Sequence, residues 1–367
     1  MSPEELLHHI TLTMVPQIGD VHLKTLLRHF GSATAILKAG RRELECLPGI
    51  GGVRASAIRR TGEYQRAEQE IRFMEKFGIT PIPFGSPYYP ARLSHCHDAP
   101  AMLYFKGSGE LGGQRVLSIV GTRAPSSYGK DWLADVISEL AHFRPLIVSG
   151  LAYGIDTIAH RQALRSGLST IGVLAHGLDR IYPHANKSLA KEMTIAGGVL
   201  TEFMSGTHPD AQHFPQRNRI VAGIADAVLV VETGRKGGSM ITADLANGYH
   251  REVFALPGRV TDEKSSGCLR LIRDHRAQVV TSAQDIVEAL NWDQDPQKKR
   301  AVQPVLFPDP DPQEKEIIDF LLDRGPQPMD EILKVVRLRP SEIAAALLRM
   351  EMCGRLQAMP GNRYRLC

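Results

Sequence analysis

Apolar residues recur at helical spacing from Pro3 to about Phe77, broken by Pro-x-x-Gly turns, and this pattern predicts a small all-helical domain over residues 1–77. Between about Gly78 and Gly113 the pattern turns irregular and Pro-rich (TPIPFGSPYYP), with one short strand-like run at 102–105. From Val116 to about Leu290 strands and helices alternate, with strands expected at 116–120, 146–149, 170–174, 199–200, 227–231 and 253–255. Each is short, apolar and rich in Val, Ile and Leu, as strands buried on both faces of a parallel sheet are. The expected fold is therefore α/β, with a doubly wound, mostly parallel sheet over 78–291. The stretch 292–312 has no apolar period and is rich in Pro, Asp, Gln and Lys, which makes it a linker. Beyond it, helices at 314–322, 329–336 and 341–352 and a terminal hairpin at 355–359 and 363–366 predict a C-terminal winged-helix domain over 313–367.

Composition changes this picture little. A chain of 367 residues with 43% hydrophobic and 23% charged content is that of a globular protein of two or three domains. The net charge of +4 is only mildly basic, so a polyanionic partner must be held by local clusters. Cys46, Cys96, Cys268, Cys353 and Cys367 form no C-x-x-C pair, which argues against a zinc site or a disulfide framework and makes a reducing, cytoplasmic compartment the expectation. Glutamates stand near the N-terminus where a signal peptide would carry lysines, and no apolar run reaches spanning length, so no membrane partner is expected.

The candidate chemistry lies mainly at strand ends of the α/β domain. The first strand runs into Gly121-Thr122-Arg123 and then Ser126-Ser127-Tyr128-Gly129, a phosphate cradle with an arginine. Its spacing is not Gly-x-Gly-x-x-Gly, so no dinucleotide or other cofactor is expected. The next delivers Ser149-Gly150 and Gly154 into a helix, where Asp156 stabilises the helix start and His160 is a packed or hydrogen-bonded histidine. Lys187 stands in a Tyr-Pro-x-x-Asn-Lys segment that could join the same rim. Phe214-Pro215-Gln216-Arg217-Asn218-Arg219, immediately before an apolar helix, offers an aromatic face, two guanidinium groups and an amide, the strongest nucleic-acid chemistry in the chain. Ion pairing of Arg219 with Glu202 or Glu232 would account for one arginine, not both. A further glycine-rich turn carries Arg235, Lys236 and Gly238, with Ser239 as the cap of the next helix. Together these turns predict one electropositive crevice. His95-Cys96-His97-Asp98 is assigned no metal, because adjacent residues in a strand point to opposite faces.

The small domains are less specific. Leu47-Pro48-Gly49-Ile50-Gly51 resembles the hairpin of helix-hairpin-helix modules, and Val15-Pro16-Gln17-Ile18-Gly19 is a degenerate copy. Each is either a tight connection in a helical bundle or a contact to a DNA backbone, with Arg54, Arg59 and Arg60 available for charge. The recognition helix of the winged helix carries Glu342 and a single arginine, Arg349, which favours protein contact or regulation over reading a duplex.

Taken in order, IVGTRAPSSYG, IVSGLAYGIDTIAH, GVLAHGLDRIYPHANKSL, FPQRNRIVAGIADAVLVVETGRKGGSMITADLA and VFALPG resemble the successive motifs of the DNA-processing protein A (DprA/Smf) family. The resemblance implies an extended Rossmann-like domain that binds single-stranded DNA without cleaving it, forms a homodimer and loads the RecA recombinase in natural transformation. Carried over by position, its DNA-binding motifs fall on Arg123, on His184 to Lys187 and on Phe214 to Arg219. The chain departs from the family at Thr201 and Gly237, and at His275, where the family tends to place glycine in Leu-Ile-x-x-Gly-Ala, which leaves that turn open. Two rivals stand beside this expectation. One is a nucleotide phosphoribohydrolase of the LOG type, in which Glu232 or Glu202 would act on a glycosidic bond. The other is a duplex-binding regulator working through the winged helix.

Overall fold

The computed structural model describes residues 1–293, 311–336, 338–359 and 361–366, so most of the expected linker, 294–310, lies outside the described residues. Two compact units emerge, Met1–Asp293 and Gln294–Cys367.

The first unit opens with six helices, α1 (Pro3–Thr13), α2 (Asp20–Phe30), α3 (Ala33–Lys38), α4 (Arg41–Glu45), α5 (Gly52–Arg59) and α6 (Tyr64–Phe77). Gly19 and Gly51 are the N-caps of α2 and α5. Each is preceded two residues earlier by a left-handed residue, Gln17 at φ 66° and Gly49 at φ 79°, so the degenerate hairpin keeps the backbone path although it lacks the glycine. Arg54 joins the two turns, donating to Gln17 O at 3.1 Å and Gly49 O at 2.6 Å, while Arg59 reaches the carbonyls of Leu37 and Ala39. Two of the three arginines considered for backbone charge therefore hold the helical module together instead.

This module is fused to the sheet. The Asp20 carboxylate accepts the Ala101 amide at 2.8 Å, and Lys24 donates to His97 O at 2.9 Å. Ile10, Ala67 and Met74 share a core with Met102 and Tyr104.

The sheet and its helices follow as β1 (Thr80–Pro83), α7 (Ala91–Ser94), β2 (Met102–Gly107), β3 (Val116–Gly121), α8 (Ser127–Leu140), β4 (Leu146–Ser149), α9 (Ile155–Arg165), β5 (Thr170–Val173), α10 (Lys187–Ala196), β6 (Gly198–Thr201) and α11 (His213–Gly223). They continue with β7 (Ala227–Val231), α12 (Gly238–Gly248), β8 (Glu252–Ala255), α13 (Ser266–Arg273), β9 (Gln278–Val279) and α14 (Ala283–Ala289). The strand order is β1-β2-β6-β5-β4-β3-β7-β8-β9. Pairing is parallel from β6 through to β9, and β1 and β2 are antiparallel additions at one edge. Helices α8, α9 and α14 cover one face, and α7, α11, α12 and α13 cover the other. This is the doubly wound Rossmann-like sheet expected from the alternation of apolar strands and helices.

Two strands were not expected. β1 carries two prolines, which an edge strand tolerates, and β9 has only two residues, both exposed. The order reverses between β3 and β7, the switch point at which doubly wound sheets bind ligands. Gly121 lies directly opposite Val231 in the register, so the loops after these two strands leave the sheet side by side.

The second unit contains α15 (Pro312–Arg324), β10 (Gln327–Pro328), α16 (Met329–Val335), α17 (Pro340–Met352), β11 (Leu356–Met359) and β12 (Arg363–Leu366). The strands form an antiparallel sheet in the order β10-β12-β11, one strand more than the expected hairpin, over a core that includes Ile317, Ile332, Ile343 and Met350. It is a winged helix. Arg349 on α17 pairs with Glu314 of α15 at 3.2 Å, and Glu342 pairs with Arg339 at 2.6 Å.

Candidate nucleic-acid interface

The loops after β3 and β7 and the start of α11 enclose a crevice of about 360 Å³. Gly121, Thr122 and Arg123 form one wall, and Gly238 and Ser239 the opposite one, with Phe214, Arg217 and Asn218 from α11 across the top. Backbone contacts hold these loops together. The Thr122 amide donates to Glu232 O at 2.7 Å, and the Ile155 amide at the start of α9 donates to Thr122 O at 3.1 Å. Gly154 sits at φ 78°, and a Cβ there would come within 2.6 Å of the Arg123 carbonyl group, so only glycine lets the β4–α9 loop lie against the β3–α8 loop.

The three glycine turns are not equivalent. Ser126 caps α8 through the Gly129 amide at 3.2 Å, and both oxygens of the Glu232 carboxylate accept from Ser126. The start of α9 is occupied by Thr122 O. α12, in contrast, has Gly237 as its N-cap and no side-chain cap, which leaves the amide end of its dipole facing the crevice. Ser239 is thus not the cap expected from the sequence: it lies one residue inside the helix, and its hydroxyl donates to Thr233 Oγ1 at 2.7 Å. Thr233 and Thr242, which the sequence reading did not single out, also line this wall. Thr242 lies one turn after Gly238, a spacing that could have marked it.

Phe214 is half-buried, with the guanidinium carbons of Arg123 and Arg217 at 5.8 and 6.0 Å from its ring centre. The Tyr182 ring lies 6.2 Å away at a 60° tilt. Arg123 is exposed and makes no ion pair among the described residues.

Arg217 differs. It is 5% exposed, donates to Gly150 O at 2.5 Å and to Val173 O, and has no carboxylate within ion-pair distance among the described residues. Burial lowers its pKa to about 10, with Asp156 pulling the other way. Asp156 also lines the crevice, where burial raises its carboxyl pKa while Arg217 and the Ala152 amide lower it. Asn218 accepts from Arg217 Nε at 3.2 Å and lines the crevice beside it. His160 is buried, hydrogen-bonded through Nδ1 to Thr170 at 2.7 Å and held neutral by burial, with its pKa lowered to about 3.

Several expected site residues lie elsewhere. Arg219 is 8% exposed and ion-paired with Glu202 and with Asp20 of the helical module. The physical reason is helical phase: Phe214 to Arg219 lie within the first turns of α11 rather than before it, and helical residues two positions apart point about 200° away from each other. Ser149 is fully buried and donates to Ile119 O at 2.6 Å. Gly150 packs against the Arg217 guanidinium, so it makes room for that side chain, and Gly154 makes room for backbone. Lys187 and Lys236 are exposed outside the lining, Lys187 as the first residue of α10 and Lys236 on the rim loop before α12.

Residues 80–291 match the family model of DNA recombination-mediator protein A, and residues 302–362 that of the DprA winged helix domain. Protein Smf of a Synechocystis strain is 32% identical over 403 aligned residues, covering 99% of each chain. DNA processing protein A of Streptococcus pneumoniae superposes with a TM-score of 0.66 at 33% identity, over 77% of this chain and 97% of that one. The Helicobacter pylori protein, whose structure was solved for its unique single-stranded DNA binding mode, superposes at 0.54 with 31% identity, over 60% of this chain and 98% of that one. A family model that spans more than half of the residues, together with a relative aligned from end to end, places this chain in the DNA-processing protein A (DprA/Smf) family.

Proposed function

We propose that the protein binds single-stranded DNA across the crevice between β3 and β7, in the service of DNA processing during natural transformation, and hands the strand to RecA as a homodimer. The observation that carries the DNA-binding reading is the arrangement around Phe214. A half-buried aromatic ring is flanked by the Arg123 guanidinium, which makes no ion pair among the described residues, and an uncapped helix amide end lies across a gap of about 360 Å³. Stacking on such a face tolerates any base, and the amides and guanidinium take phosphates. The H. pylori relative, described by its single-stranded DNA binding mode, supports the same ligand.

The phosphoribohydrolase reading fits less well. Glu232 is held by Ser126 and Glu202 by Arg219, so neither proposed acid is presented to the crevice. The pairing of Arg349 with Glu314 weighs against the winged helix as a duplex reader, because the one arginine of its recognition helix is engaged within its own unit.

Titration with an oligothymidylate and with a duplex at several salt concentrations tests this reading. Phe214→Ala is expected to weaken single-strand binding by about 1–3 kcal/mol, and Arg123→Ala to flatten the slope of log K against log salt by about 0.7. Wild-type affinity in both variants, or preference for the duplex, would reject the site.

A further inference from the structure

A second cationic feature begins where the crevice ends. α9 starts at the crevice, where its Ile155 amide meets Thr122 O, and then runs along the face of the sheet. Arg161 and Arg165 follow Ile155 by about 9 and 15 Å of helix rise and stand one turn apart on the same face of α9. Both are exposed, and neither makes an ion pair or hydrogen bond among the described residues. Facing them are Ala185, in the turn before α10, and Ser188 and Glu192 of α10, which line, with the two arginines, a groove of about 400 Å³. The one acid in it, Glu192, accepts from Ser188 at 3.1 Å.

Arg165, in the last turn of α9, complements the carbonyl end of its own helix dipole, but Arg161 lies too far inside the helix for that. The start of α10 is electrostatically unsatisfied as well. Lys187 is its first residue and its amide donates to His184 O of the preceding 3-10 turn, no acid occupies its first turn, and Asn186 makes no side-chain cap hydrogen bond, its Nδ2 donating to Leu151 O and Thr157 Oγ1, both at 2.9 Å. A lysine at the positive end of a helix opposes the dipole, and a bound anion would compensate both. Tyr182, 47% exposed, links this turn to the crevice through its ring contact with Phe214.

We propose that the groove between α9 and α10 is a second phosphate-binding subsite for the same DNA strand, receiving its backbone after it passes Phe214 and Tyr182. This rests on the crevice being the single-strand site. Binding of oligothymidylates of about 6 and about 20 nucleotides, across a salt series, separates the two claims. In the full-length chain, the double variant Arg161→Ala, Arg165→Ala should bind the short strand as wild type does. On the long strand it should lose affinity, with a salt slope flatter by about 1.4. Arg161→Lys, Arg165→Lys should restore both. If the double alanine variant matches wild type on the long strand while Arg123→Ala weakens both strands, the groove is overturned and the crevice stands. If Arg123→Ala leaves both strands unaffected, the crevice reading falls, and with it the path into the groove.

Discussion

His275 shows how a single position resolves once the backbone is known. Its φ is 53°, the left-handed region, at the place where the resemblance implied a glycine. The Arg276 amide closes the turn after α13 by donating to Leu271 O at 2.8 Å, so the path is kept with a residue type that disfavours it. Relief of that strain is partly offset by the greater freedom of glycine in the unfolded chain. His275→Gly is therefore expected to stabilise the first unit by about 0.5–1 kcal/mol. Trp132 and Trp292 both lie in that unit, so their fluorescence during urea unfolding reports it, and a lower midpoint in the variant would contradict the account. At the same scale, Arg217 now has to be read as a buried residue that supports two backbone carbonyls. Its substitution removes support from both carbonyls and is expected to perturb folding, which is why Arg123 and Phe214 serve as the probes of the crevice.

Helix α11 is the element that joins the candidate site to the rest of the first unit. One side presents Phe214, Arg217 and Asn218 to the crevice, and the other fixes Arg219 between Glu202 and Asp20 of α2. Burial pushes the Glu202 carboxyl up from 4.5 to about 7, although Arg219 pulls it down, and Glu202 Oε1 has no hydrogen-bond partner among the described residues. Arg219 is itself held more firmly charged by the two carboxylates. Between pH 4.5 and about 7 the folded chain keeps a proton on Glu202 that the unfolded chain has released, so this group makes stability fall as pH rises through that window. Unfolding measured at several values within it should show wild type losing on the order of 1 kcal/mol per pH unit relative to Glu202→Gln. Identical slopes in the two proteins would contradict the shifted carboxyl.

The same helix marks the limit of what the sequence made legible. The composition of Phe214 to Arg219 pointed to nucleic-acid chemistry, but reading it as a segment before the helix gave Arg217 and Arg219 a common direction that helical phase denies them. Ser149 misled for a related reason, since a hydroxyl at a buried strand end is as readily spent on a neighbouring carbonyl as offered to a ligand.

For the whole molecule, the strands buried on both faces and the glycine-led loops were clear from sequence because each is a local pattern. The Val116 and Ala227 strands announced themselves in this way, whereas their adjacency at the switch point is seen only in the strand order of the folded sheet. Partnerships formed across long sequence separations were not legible, among them Asp20 with Arg219, Ser126 with Glu232, and Arg54 with both hairpin turns. These contacts determine which polar side chains remain available at the crevice.

The central claim is that a single DNA strand lies over Phe214 between the β3 and β7 loops. Its most direct test is photo-crosslinking of an oligothymidylate carrying 5-iododeoxyuridine to the full-length protein, with the adducts mapped by mass spectrometry. The account predicts adducts on Phe214, with the signal lost on addition of excess unlabelled strand. Adducts confined to α17 of the winged helix or to the hairpin turns of the helical module, with none at the crevice, would contradict it.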